Sequence, residues 1–232
     1  MIFFSTEVDI REFLSLKERM KPVKYIFWDW NGTLLDDAWL CRDVMNGMLR
    51  KRKMPELSRE RYQEIFDFPI IRYYERIGFD FEQESFEVLG KEFIEGYERR
   101  RREALLYSDV VSSLDQVKKR RIGQSILSAY KHDTLVTLVE EQKLDSYFNT
   151  LHGHHHIYPV GKAPQGKEAL EELHLDPAET VLIGDTAHDA DVAKELGMQC
   201  VLIPGGNQPV EMLKAIGVPC VSSREEALGV LL

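Results

Sequence analysis

The sequence predicts an α/β fold: a doubly wound parallel sheet with an α-helical module inserted after the first strand. Three observations predict it. Short continuous apolar runs alternate with segments of helical periodicity. The first run, "VKYIFWDW" (23–30), ends on an aspartate and passes straight into "NGTLLDD". The stretch that follows, 37–106, has helical spacing throughout and no convincing strand.

Each element follows from its local pattern. Residues 23–30 read as a buried parallel strand with a polar C-terminal end, and "RIGQSILSA" (121–129), "TVLIGD" (180–185) and "QCVLIP" (199–204) repeat that design. A weaker fifth strand is "VPCVSS" (218–223). Helical patterns at 133–143, 165–174, 189–196 and 209–216 separate most of these runs, which implies right-handed βαβ units. "DPAE" (176–179) is a helix-start or turn signal, with Asp176 as cap. In the insert, Trp39, Val44 and Met48, then Ile70, Ile71, Tyr74 and Ile77, then Phe86, Leu89, Phe93 and Tyr97 recur at helical spacing, punctuated by Pro55, Pro69 and Gly78. The expected division is therefore a core of 1–36 and 107–232 and an inserted helical module of 37–106, whose ends meet over the first strand. Residues 1–22 form an N-terminal extension, in which 8–20 read as a short amphipathic helix.

Composition narrows the function. The chain has 232 residues, 44% hydrophobic and 30% charged, with a formal net charge of −9. That charge disfavours a nucleic-acid partner, and an anionic ligand then needs a local cation. Three cysteines, Cys41, Cys200 and Cys220, with no CxxC spacing, argue for a reducing, cytoplasmic setting and against a cysteine zinc site. No apolar run reaches the roughly 18 residues of a membrane span, and acidic residues soon interrupt the apolar start "MIFF".

In open α/β sheets, ligands bind beyond the carboxyl ends of the strands. Those ends carry Asp29, Asn31 and Thr33 after the first strand, Ser128 after the second, and Asp185, Asp189 and Asp191 in "GDTAHDAD". Lys162 stands in "VGKAPQGK". Converging carboxylates repel one another and call for a cation. With oxygen ligands alone, Mg²⁺ is the natural choice. A carboxylate beside Mg²⁺ and a lysine is a competent nucleophile toward phosphorus, and the lysine and serine would hold the phosphoryl oxygens. Gly32 permits a sharp turn beneath them.

"DWNGTL", Ser128, Lys162 and "GDTAHD" resemble the four motifs of the haloacid dehalogenase-like superfamily, and in particular its phosphoglycolate-phosphatase-like group with a helical cap. The resemblance spans roughly 23–221. It implies a hydrolase acting on a small phosphorylated metabolite. Asp29 would be the nucleophile, and Asp29, the Asn31 carbonyl, Asp185 and Asp189 the metal site. Thr33 would orient the loop, and Gly32, Ser128 and Lys162 would bind the phosphoryl group. Lys162 is preferred to Lys167 because it precedes Asp185 by a helix and a turn, whereas Lys167 falls inside the helical pattern.

One position departs from the family. Most phosphatases of the superfamily have aspartate where Asn31 stands, and use it to protonate the leaving oxygen. An amide cannot do this, at an expected cost of about 10²–10⁴ in rate. Three readings stay open: a slow phosphatase, an enzyme for good leaving groups such as acyl phosphates, or a binding or regulatory protein without turnover. A dehalogenase ranks lowest, because those enzymes dispense with Mg²⁺ and this chain keeps the acidic fourth motif. His188 is read as a solvent-facing helix-start residue ahead of a substitute acid. On sequence alone, Asn31→Asp is expected to raise turnover of alkyl phosphates.

Other features have plainer readings. "HGHHH" (152–156) reads as a solvated loop ahead of a zinc site, and "RRRR" (99–102) as a solvated helix end. Arg72 and Tyr73 are candidates to face the cleft, and "PGGNQ" (204–208) should approach the site closely.

Overall fold

The computed structural model describes residues 15–18, 20–154 and 161–232. Most of the proposed helix at 8–20, and His155 and His156, lie outside the described residues. The central strand is β1 (Tyr25–Trp28), with every residue buried. Three of the remaining sheet strands are β4 (Gly123–Lys131), β6 (Thr180–Gly184) and β7 (Gln199–Leu202). The fifth is β5 (Leu151–His154). The order is β5-β4-β1-β6-β7, and all pairings are parallel.

The period-2 alternation of β1 divides the core. Ile26 and Trp28 join Val181, Ile183 and Val201 on one face. They pack there on α5 (Val110–Lys119), α6 (His132–Glu141) and α10 (Arg224–Leu231). Tyr25 and Phe27 join Leu182 and Cys200 on the other. That face is covered by α7 (Ala163–Glu172) and α8 (Ala187–Leu196). A further short helix, α9 (Val210–Ala215), follows β7.

Two expectations are corrected. The fifth strand is not 218–223, which makes only the isolated bridge Leu202↔Cys220. It is residues 151–154, at the sheet edge, where only one neighbour must be satisfied and the apolar signal is weak. His152 and His154 therefore lie in a strand, not a solvated loop. His152 Nε2 is 2.7 Å from Thr150 Oγ1, and His154 Nδ1 is 3.1 Å from Gln165 Nε2. Helices α5 and α10 were not anticipated, although Val110, Leu114 and Val117 have the spacing of a buried helical stripe.

The inserted stretch comprises α1 (Ala38–Lys51), α2 (Arg59–Ile65), α3 (Ile70–Ile77) and α4 (Phe86–Arg100). These helices have their own apolar centre, including Met45, Leu49, Tyr62, Tyr74 and Leu89. A two-stranded antiparallel ribbon, β2 (Leu35–Asp36) against β3 (Leu105–Leu106), draws the two ends of the stretch together. Tyr73 is buried among Tyr62, Phe66 and Tyr74, and Arg72 is exposed. Arg100, Arg101 and Arg102 are paired with Asp43 and Glu103, with Glu98, and with Glu141 respectively. No helix among the described residues is long and apolar enough to cross a membrane.

Candidate active site

The carboxyl ends of β1, β4 and β6 lie on one edge of the sheet because all three strands run parallel. Asp29 follows β1 directly, and its N–H donates to the Ile183 carbonyl at 2.9 Å, tying it to β6. Asp185 follows β6. Asp189 closes a capping box at the start of α8, its Oδ2 accepting from the Thr186 N–H (2.9 Å) and hydroxyl (2.7 Å). The three carboxylates are buried, and each offers an oxygen within 4.8 Å of the others.

Lys162, the residue just before α7, enters this cluster. Its Nζ lies 2.6 Å from Asp29 Oδ1 and 3.2 Å from the Leu127 carbonyl, and pairs with Asp189 Oδ1. Lys167 is exposed. Thr33 Oγ1 donates to Asp29 Oδ2 at 3.2 Å. Ser128, at the end of β4, is buried, and its Oγ accepts from the Tyr130 N–H at 3.1 Å. Among the described residues no hydrogen bond links it to Asp29 or Lys162. Asp191 is exposed and outside the cluster.

The charges are unbalanced. Burial pushes Asp29 up to about 7, against the pull of the Lys162 ammonium, and the Asp189 charge adds to the rise. Burial, then the charges of Asp29 and Asp189, drives Asp185 well above the carboxylate range. Burial also opposes ionisation of Asp189, but Lys162 outweighs it and holds the group low. Lys162 itself is pulled down by burial and held up more strongly by Asp189 and Asp29. One lysine thus faces three acids. The all-oxygen donor set and the excess negative charge fit a hard divalent cation.

The glycine turn brings backbone close. Gly32 has φ +74°, and a Cβ there would lie 2.3 Å from Asp185 Oδ2. Gly32→Ala is therefore expected to lower the melting temperature by about 2–8 °C, from about 1–2 kcal/mol of left-handed backbone strain. The displacement of Asp185 adds to this, and a circular dichroism melt checks it. Gly206 also comes near: its Cβ would lie 2.8 Å from Asp185 Oδ2. This bears out the close approach expected of "PGGNQ".

Several contributors are not singled out as site residues by the sequence. Asn207 donates to Asp185 Oδ2 through its N–H (3.1 Å) and Nδ2 (3.2 Å), and accepts from the Tyr62 hydroxyl of α2 at 2.7 Å. Asp37 is fully buried; burial raises its pKa, and hydrogen bonds from Tyr97 and Asn31 oppose the rise. Buried Arg224 donates through Nε to the Thr33 carbonyl at 2.7 Å and pairs with Asp109 at 2.9 Å, bracing the turn from below. His188 is not solvent-facing. It stacks on Phe68 with centroids 4.6 Å apart. Burial lowers its pKa despite Asp189, so it stays neutral and makes a poor proton donor near pH 7.

The family model of haloacid dehalogenase-like hydrolases matches residues 26–203. A Dickeya dadantii protein named "Probable phosphatase IndB" is 24% identical over 201 residues, covering 84% of this chain and 86% of its own. A haloacid dehalogenase-like family hydrolase from Streptococcus pneumoniae superposes with a TM-score of 0.79 at 19% identity, covering 90% of this chain and 99% of its own. A protein described as a predicted phosphoglycolate phosphatase, from Haemophilus somnus 129PT, gives a TM-score of 0.73 at 16% identity, covering 92% and 100%. At these identities the structural likenesses establish the fold.

Proposed function

The chain belongs to the haloacid dehalogenase-like hydrolase family, and from that premise we propose that it is a phosphatase for a small phosphorylated metabolite, working through a phospho-Asp29 intermediate with Mg²⁺. The observation that carries this reading is the setting of the Asp29 carboxylate. One oxygen meets Lys162 at 2.6 Å, the other meets Thr33 at 3.2 Å, and Asp185 and Asp189 stand beside it. This is an oriented, buried nucleophile with an ammonium placed to draw in an anionic phosphoryl group.

Asp29, Asp185 and the Asn31 carbonyl would hold the ion. Asp189, whose oxygens already serve Lys162 and Thr186, supports the set. Mg²⁺ in that place supplies charge neutralisation for the phosphoryl oxygens. Lys162 and Ser128 bind those oxygens, Thr33 fixes the attacking carboxylate, and Gly32 keeps the turn clear. Residues 37–106 act as a cap over the core, hinged at the β2–β3 ribbon, and exclude water when docked through Tyr62 on Asn207 and Tyr97 on Asn31.

The test is Mg²⁺-dependent phosphate release from acyl, aryl and alkyl phosphates, with trapping of a phosphorylated Asp29 by mass spectrometry. Asn31 favours a second reading, a binder without turnover. That reading predicts no release, together with stabilisation by Mg²⁺ and beryllofluoride of about 2.7 kcal/mol at a hundredfold excess over Kd.

The raised acids give a pH signature. Asp29 binds its proton more tightly folded than unfolded. The metal-free protein therefore loses stability as pH rises from about 4, the unfolded value, through about 7. Asp185 acts in the same direction; Asp189, held low, opposes it only at acid pH. Thermal melts should show a larger Mg²⁺-induced rise at pH 8 than at pH 5.

A further inference from the structure

The amide at position 31 is held in one orientation. Asn31 Nδ2 donates to Asp37 Oδ2 at 2.6 Å and to the Tyr97 hydroxyl at 3.0 Å. Tyr97, from α4, donates to the same Asp37 oxygen at 2.6 Å, and the Gly32 N–H donates to Asp37 Oδ1 at 2.9 Å. Asp37 is thus a buried acceptor ringed by donors, and the amide edge facing it must be the NH₂ edge. Both N–H bonds of Asn31 are engaged there. Its Oδ1 receives no hydrogen bond from any described residue, and the residue is half-buried. That oxygen is the side chain's one polar atom left for a ligand, and it can only accept.

We infer that Asp37, braced by Tyr97, is a positioning residue that clamps Asn31 with an acceptor and no donor beside the reacting phosphoryl group. The clamp thereby confines the enzyme to phosphates whose leaving group departs as a stable anion. The substrate class is acyl phosphates and phosphate esters of acidic hydroxyls. This inference rests on the phosphatase reading above.

The steps balance without an acid at position 31. In the first, an Asp29 oxygen bonds to phosphorus and the bond from phosphorus to the leaving oxygen breaks. The electron pair departs with that oxygen, and no proton is added. In the second, a water oxygen bonds to phosphorus and the bond from phosphorus to Asp29 breaks, restoring the carboxylate. Both water protons finish on the product, dihydrogen phosphate. Asn31 Oδ1 holds the water by a hydrogen bond and takes no proton.

The clamp also revises the simple expectation for Asn31→Asp. A carboxylate there would abut buried Asp37 at hydrogen-bond distance, so the informative variant exchanges the two groups. Asn31→Asp with Asp37→Asn keeps the contact with donor and acceptor reversed, and puts a titratable acid at position 31.

The experiment measures kcat/KM with Mg²⁺ for acetyl phosphate, p-nitrophenyl phosphate, phenyl phosphate and ethyl phosphate. In the wild type, acetyl and p-nitrophenyl phosphate should exceed ethyl phosphate by about 10²-fold or more. In the exchanged variant ethyl phosphate should gain about 10²-fold, and p-nitrophenyl phosphate less than about tenfold. Tyr97→Phe, which leaves every charge in place, should slow the water step and give a burst of p-nitrophenol before a lower steady rate. Equal wild-type rates across the series overturn the inference. So does a folded exchanged variant with the wild-type leaving-group dependence, or a Tyr97→Phe enzyme with neither burst nor lower rate. Wild-type failure to release phosphate from any of the four esters and anhydrides is a different result: it overturns the phosphatase reading itself, and the inference with it.

Discussion

Asp29→Asn is expected to reduce phosphate release by about 10⁴–10⁶-fold, the scale on which loss of a covalent nucleophile or its partner is felt. An amide at position 29 cannot form the phosphoryl-enzyme bond, so mass spectrometry of the variant with acetyl phosphate should find no phosphorylated residue. Stability should move the other way. The wild-type carboxylate is held near 7 by burial and by the neighbouring Asp189, and its removal relieves the crowding of acids at high pH. The metal-free variant should melt no lower than the wild type at pH 8, and its Mg²⁺-induced rise should shrink. A variant that keeps wild-type turnover would remove Asp29 from the chemistry.

Lys162→Met is expected to cost about 3–5 kcal/mol, the scale for breaking a buried ion pair from one side, and at least about 10²-fold in turnover. The side-chain volume is nearly kept, so the loss is electrostatic. Asp29 and Asp189 are left facing each other with no ammonium between them. The sign with pH is determinate. Asp189 is now held low by Lys162. Without that cation the folded pKa values of Asp189 and Asp29 both rise, so each acid binds its proton more tightly folded than unfolded and the penalty grows as pH rises. The variant should therefore melt far below wild type at pH 8 and much closer to it at pH 5, with Mg²⁺ recovering part of the difference. A uniform fall at both pH values would point to lost packing instead.

How much of the site was legible depended on what kind of signal each residue leaves. Asp29 and Asp185 sit where strand patterns end and Lys162 just before a helical pattern begins, and the parallel sheet places the strand ends together. Lys162 is preferred to Lys167 on the spacing that the family resemblance implies and because Lys167 falls inside a helical pattern, and Lys162 is the one in contact with Asp29. Asp37, Tyr97, Asn207 and Arg224 left no comparable trace. Their partners are distant in the chain, as for Tyr97 with Asp37 or Arg224 with Thr33. A hydrogen bond between such residues has no periodicity. The edge strand 151–154 was hidden for a related reason: it is short and half-buried, and it contains a glycine, so its sequence lacks the apolar run of a central strand.

By itself the sequence determined the α/β class, the inserted helices, and the gathering of acids and a lysine at one edge of the sheet. Hydrophobic periodicity specifies which segments are strands and helices, and parallel strands necessarily bring their carboxyl ends to the same side. Only the tertiary structure decided what Asn31 is. Its meaning lies in which edge of a planar amide is bound, and that is set by Asp37 and by a tyrosine brought in from α4 when the inserted helices dock.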